Sequence, residues 1–199
     1  MDGALARHDR QTQLSIAVEI LTSLIRNISL KRALHEICPS PHLSFWRVMY
    51  GNLMDMAVLD WCKLFGSDDD DRQPAHWKNV VADQHLFRNT LLDHVQMTAS
   101  QWLGYWQEMK LYRDTCVAHH DPKRAGIPNF LTLQPALLSA FYYFDYSRSE
   151  LLKVGINQQP TDIRQYAKEF EVQGAKVGRL ALAATASLSD TDYECRGAA

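Results

Sequence analysis

The chain has 199 residues, is 46% hydrophobic and carries a formal net charge of -2. That length suits one domain with a sizeable core, and that charge excludes a generally basic nucleic-acid coat while leaving room for a local basic site. Its four cysteines, Cys38, Cys62, Cys116 and Cys195, are dispersed with no CxxC pair. This spacing favours a reducing compartment over a disulfide framework.

The periodicity is helical almost throughout. From about residue 9 to 37, Leu14, Ala17, Val18, Leu21, Leu24, Ile25 and Ile28 recur at steps of three and four. The stretch CPSP (38–41) ends that helix, because proline cannot continue a helix interior. A second helix is expected over about 42–65, holding Phe45, Val48, Met49, Leu53, Met56, Leu59, Trp61 and Leu64. GSDDDDRQP (66–74) reads as a loop. Its aspartates lack the spaced ligands, central glycine and closing glutamate of a calcium loop.

Residues 75 to about 97 read as helix with a break near Ala82-Asp83, opened by His76-Trp77 as a cap and a packing residue. TASQ (98–101) has the form of a capping box and opens a helix running to about His120. DPKRAGIPN (121–129) is a loop, followed by helices at about 133–155 and 161–187. The expected architecture is an all-α bundle of five to six helices in one domain, 1–187, with a flexible C-terminal tail, 188–199. No apolar run approaches the ~18–20 residues that cross a bilayer. The N-terminal MDGALARHDRQTQ is too polar for a signal peptide, so a cytoplasmic protein with no membrane partner is expected.

The chemistry concentrates in YRDTCVAHHD (112–121). At about 100° per residue, Trp102, Trp106, Met109, Arg113, Cys116 and His120 share one helical face, with Tyr105, Tyr112 and His119 beside them. One reading is a core stripe whose last turn reaches solvent, where a histidine favours the helix C-terminus. The other is an Arg-x(4–6)-His motif. A guanidinium can grip phosphate oxygens and an imidazole can move a proton near neutral pH. RNA brings its own nucleophile, the 2′-hydroxyl, so cleavage needs no metal and no other cofactor. Spacing alone does not single out this pair, because Arg88 to His94 (RNTLLDH) matches as well. A metal site built from His85, His94, His119, His120 and Asp121 would require tertiary structure to gather them, and no ligand-spaced cluster is present, so no metal site is assigned.

YRDTCVAHHD resembles the motif of HEPN-domain proteins, in the branch related to the abortive-infection U family. There the pattern reads approximately Arg-(Asp/Asn)-Lys-x-x-Ala-His-x-Asp. FWRVMYGNLMDMAVLDWCKLFGS (45–67) and HWKNVVADQHLF (76–87) resemble the helices before that motif, and GIPNF (126–130) the segment after it. The resemblance covers about residues 42 to 150. It implies a HEPN-like helical bundle that pairs into a homodimer, with two motifs facing each other to form one composite RNase site. It matches Arg113 to the motif arginine, Asp114 to its polar follower and His119 to the motif histidine; Thr115 stands where Lys is common, and His120 duplicates the histidine.

The function implied is a metal-independent endoribonuclease, a hydrolase of the toxin or antiviral defence type acting in abortive infection. RNA would be its substrate, and an antitoxin or defence protein a further partner. In this reading Arg113 contacts the scissile phosphate, His119 acts as general acid or base with His120 as its substitute, and Asp114 orients Arg113. Tyr112 would line the site and stack on a base, while Lys110, Lys123 and Arg124 would contact phosphates. The aromatic stripe leading to the motif would serve both core and dimer interface, with the motif helices near the two-fold axis. The alternative is a catalytically silent HEPN-fold module that binds RNA or protein. A third is an unrelated helical protein.

Overall fold

A computed structural model describes residues 2–66, 73–117 and 133–190, with side chains from residue 10 onward and not at Val117. Among the described residues the chain is all-α, with no strand. The helices are α1 (Asp2–Ile37), α2 (Ser44–Phe65), α3 (Trp77–Val80), α4 (Gln84–Val95), α5 (Ala99–Tyr112), α6 (Gln134–Lys153) and α7 (Ile163–Ala184). A π-helical turn, Arg113–Val117, extends α5. The seventh helix is the single turn α3, which the break at Ala82-Asp83 separates from α4. Among the described residues no helix is long and apolar enough to cross a membrane.

Helix α1 is the central element and packs against α2, α6 and α7. Its residues Leu14, Ala17, Val18, Leu21, Leu24, Ile25 and Ile28 are all buried, as their spacing requires of one face. Against α7 the approach is close because Gly174 and Gly178 lack side chains. A Cβ on Gly178 would meet Leu34 Cδ2 at 2.6 Å and Ile37 Cδ1 at 2.7 Å.

The other half of the core is aromatic. Trp61 lies within 6 Å, ring centre to ring centre, of Phe65, Trp102 and Tyr105 (5.5, 5.8 and 5.6 Å), and its indole N–H donates to Ser139 Oγ at 3.1 Å. Trp77 stacks on Phe87, and the Tyr143 hydroxyl donates to the Ala75 carbonyl at 2.9 Å. The Trp61 indole and the Tyr143 hydroxyl thus keep partners inside the core, which offsets the cost of taking them out of water.

The helix starts follow local chemistry. Asp83 and Asp162 accept the first backbone N–H groups of α4 and α7. Thr98 and Gln101 form the reciprocal capping box at α5. His76 is buried and its Nδ1 accepts the Lys78 N–H at 3.3 Å, so it caps α3. The chain after α7 returns to α2: Leu188 O lies 3.1 Å from His42 Nε2, and Asp190 accepts from the Ser44 N–H and hydroxyl, both at 2.8 Å. Arg47 joins the same carboxylate at 3.1 Å. Asp190 therefore caps the otherwise uncapped start of α2 from the far end of the sequence.

Candidate functional site

The end of α5 is where the regular helix gives way. The Thr115 hydroxyl donates to the Leu111 carbonyl at 2.7 Å, the acceptor that an α-helix would offer to the Thr115 backbone N–H. Such side-chain competition for the i−4 carbonyl loosens the ladder, and here it coincides with the π turn. A π turn is wider than an α turn. The wheel of about 100° per residue that lined up Arg113 with Cys116 therefore does not hold within this turn.

Arg113 stands at the first position of this turn with about a quarter of its side chain exposed (28%). Its Nε and Nη2 both reach Asp114 Oδ1 at 2.7 Å. One carboxylate oxygen holds two guanidinium nitrogens, which fixes the plane of the guanidinium relative to the turn. Beside it lies a cleft of ≈ 320 Å³ lined by Leu59, Cys62 and Lys63 of α2 and by Lys110 and Arg113. Lys110 covers the Trp106 ring at 4.4 Å, a cation–π contact that anchors its charge at the rim. Lys63 pairs with the buried Asp60 at 2.8 Å. Three cations thus border one opening, and two carboxylates partly balance them.

Cys62 lines the same cleft. Burial pushes its thiol up to about 12, against the pull of Arg113 and Lys110. It is a neutral thiol at pH 7 and no nucleophile. Cys116 is half-buried, with the Thr115 hydroxyl 3.5 Å from its sulfur.

Tyr112 departs from its expected place. It is 5% exposed, and its hydroxyl donates to Asp55 Oδ1 of α2 at 2.6 Å. A buried ring cannot stack on a base; its chemistry instead pins the start of the π turn to α2. The aromatic stripe of α5 is likewise committed. Trp102, Tyr105 and Met109 are core, and the Trp106 indole donates to the Phe65 carbonyl at 2.7 Å. Most of the described stripe is thus spent on the core, and Trp106 is only partly covered. Sequence reasoning missed the α2 contribution, Leu59, Cys62 and Lys63, because nothing in their spacing points to the motif.

His119, His120, Lys123 and Arg124 lie outside the described residues, as do Asp121 and the run Asp68 to Asp71. The rival pair is described and is not convergent. Arg88 lines a small cleft with Trp77, Trp102 and Trp106, whereas the His94 ring packs against Tyr142 at 5.6 Å. Six residues on a helix is about 240° of rotation, which sends the two side chains to different neighbours. His85 is exposed beside Asn89. Among the described residues no three His, Cys, Asp or Glu side chains gather as metal ligands.

Comparison of this chain with family models, with curated proteins and with solved structures finds no match.

Proposed function

We propose that the protein is a HEPN-type endoribonuclease that cleaves RNA without a metal ion at a site composed across a homodimer. The observation that carries this reading is Arg113. It is a partly exposed guanidinium, oriented by Asp114, in a cleft with Lys63 and Lys110, six residues ahead of His119 in a motif that resembles the HEPN pattern.

In this mechanism the 2′-hydroxyl attacks the adjacent phosphorus in line. Its proton passes to His119 of one copy while the P–O5′ bond breaks. The 5′-oxygen takes a proton from the histidine of the other copy, leaving a 2′,3′-cyclic phosphate. Arg113 stabilises the charge that develops on the phosphoryl oxygens, and Asp114 is a positioning residue that acts through it. His120 is the substitute for His119. Lys110 and Lys63 would hold neighbouring phosphates, with Lys123 and Arg124 as further contacts. RNA is then the substrate, the cytoplasm the setting, and an antitoxin or defence protein the natural restraint on such a toxin.

The Arg113–Asp114 pair also favours a second reading. A phosphate must compete with a carboxylate 2.7 Å from the guanidinium, which suits a silent module that binds RNA or protein without cutting. Cleavage of single-stranded RNA in EDTA separates the two. The nuclease reading expects cleavage that Arg113→Ala reduces by about 10²–10³-fold. It expects His119→Ala to lose more activity than His120→Ala. RNA binding with no cleavage supports the silent module.

A further inference from the structure

Helix α2 is apolar on both of its faces. Inward, Met54, Ala57, Val58, Trp61 and Phe65 are buried. Outward, Phe45, Met49 and Met56 are 59%, 38% and 43% exposed, with Leu59 half-buried and Asn52 exposed between them. A helix that is hydrophobic all round is normally a buried helix. One bare face on such a helix marks an interaction surface.

Six of the outer residues are regularly spaced, with the exposed Val48 beside them. Phe45, Met49, Asn52, Met56, Leu59 and Lys63 advance by steps of four, three, four, three and four. This is a heptad seam, the pattern by which one helix pairs with another of the same repeat. At 1.5 Å per residue it runs about 27 Å, and its last two members line the Arg113 cleft. The exposed apolar residues of α7, Val172, Val177 and Leu180, follow no such register.

We propose that this seam is the interface of a homodimer in which α2 of one copy runs parallel to α2 of a second copy. Three features point to a second copy as the occupant. A heptad seam complements itself. Asn52 sits in the middle of it, and self-pairing sets two amides face to face, each with a donor and an acceptor; an apolar partner helix would bury that amide unpaired. The charges of α2 are satisfied within the protomer: Arg47 by Asp190, Asp55 by Tyr112 and Asp60 by Lys63. They demand no opposite charge from another protein.

The parallel direction has a consequence that rests on the nuclease reading. It brings Lys63 and Arg113 of both copies to the same end of the seam. That end is rich in cations and calls for an anion between the copies, which a phosphodiester supplies.

Light scattering and circular dichroism on the full chain test the seam. At micromolar concentration the protein should be a dimer. Phe45→Glu and Met56→Glu should each give a monomer of unchanged helix content, while Val177→Glu on α7 stays a dimer. A monomeric wild type overturns the seam, as does a dimer that survives both substitutions in folded protein. If the glutamate variants lose helix content, Met49→Cys decides, in a chain carrying Cys38→Ser, Cys116→Ser and Cys195→Ser. Parallel pairing sets residue 49 opposite its own copy, so mild oxidation should link the dimer, and no link contradicts the proposal. RNA cleavage is read in the same samples. A seam dimer that never cleaves keeps the seam and loses the nuclease; a dimer that survives both glutamate substitutions and cleaves with Arg113 dependence does the reverse.

Discussion

The two faces of α2 are made of similar residues and meet different fates. The inner face is closed by Trp102, Tyr105 and Tyr143, and its one indole N–H is matched to Ser139. The outer face keeps Phe45, Met49 and Met56 in water and ends at the cleft beside Arg113. Apolar content alone does not tell a core face from a docking face. What distinguishes them is whether each side chain has found its neighbours within the protomer.

Substitutions on this helix and on the residues packed against it sharpen the contrast. The largest effect belongs to the inner face. Trp61→Ala removes a fully buried ring and leaves Ser139 without its donor, so chemical denaturation should show a loss of about 3–5 kcal/mol. A loss near the surface range would mean that the aromatic half of the core is not packed as described.

Next comes the edge between the faces. Tyr112→Phe deletes the hydroxyl that meets Asp55, at a cost of about 1–2 kcal/mol by the same measurement. If Tyr112 instead stood free to stack on RNA, the substitution would leave stability alone, because the ring that stacks is kept. The outer face should be nearly silent in this assay. Met56→Ser should change the stability of the dilute monomer by no more than about 0.5 kcal/mol, and a larger loss would show that this face is core.

The smallest effect is at the start of the helix. The Ser44 backbone N–H, then the Ser44 hydroxyl and Arg47, hold the Asp190 carboxyl below the ordinary aspartate range. A lowered carboxyl pKa means the tether is intact above the unfolded value and is lost as pH falls through the folded one. The Ser44 amide resonance should therefore titrate only in the acid range. Asp190→Asn should abolish that titration with little change in melting.

Most of the bundle was legible because it is built from local rules. The steps of α1, the proline stops, the Ala82-Asp83 break and the Thr98/Gln101 box all appear as written in the chain. The candidate site was less legible, for two physical reasons. Thr115 takes the Leu111 carbonyl and the π turn follows, so a wheel of constant pitch misplaces the residues of the turn, Arg113–Val117. Leu59, Cys62 and Lys63 reach the cleft through tertiary packing, and Tyr112 is drawn inward by Asp55, a partner 57 residues away. Such pairings leave no mark in local spacing.

The most direct test of the central claim is RNA cleavage by purified protein in EDTA, wild type against Arg113→Ala. The wild type should give products ending in 2′,3′-cyclic phosphate, and the variant a rate about 10²–10³-fold lower with its helix content kept. Equal rates from the two proteins, or cleavage that disappears on chelation, would contradict it.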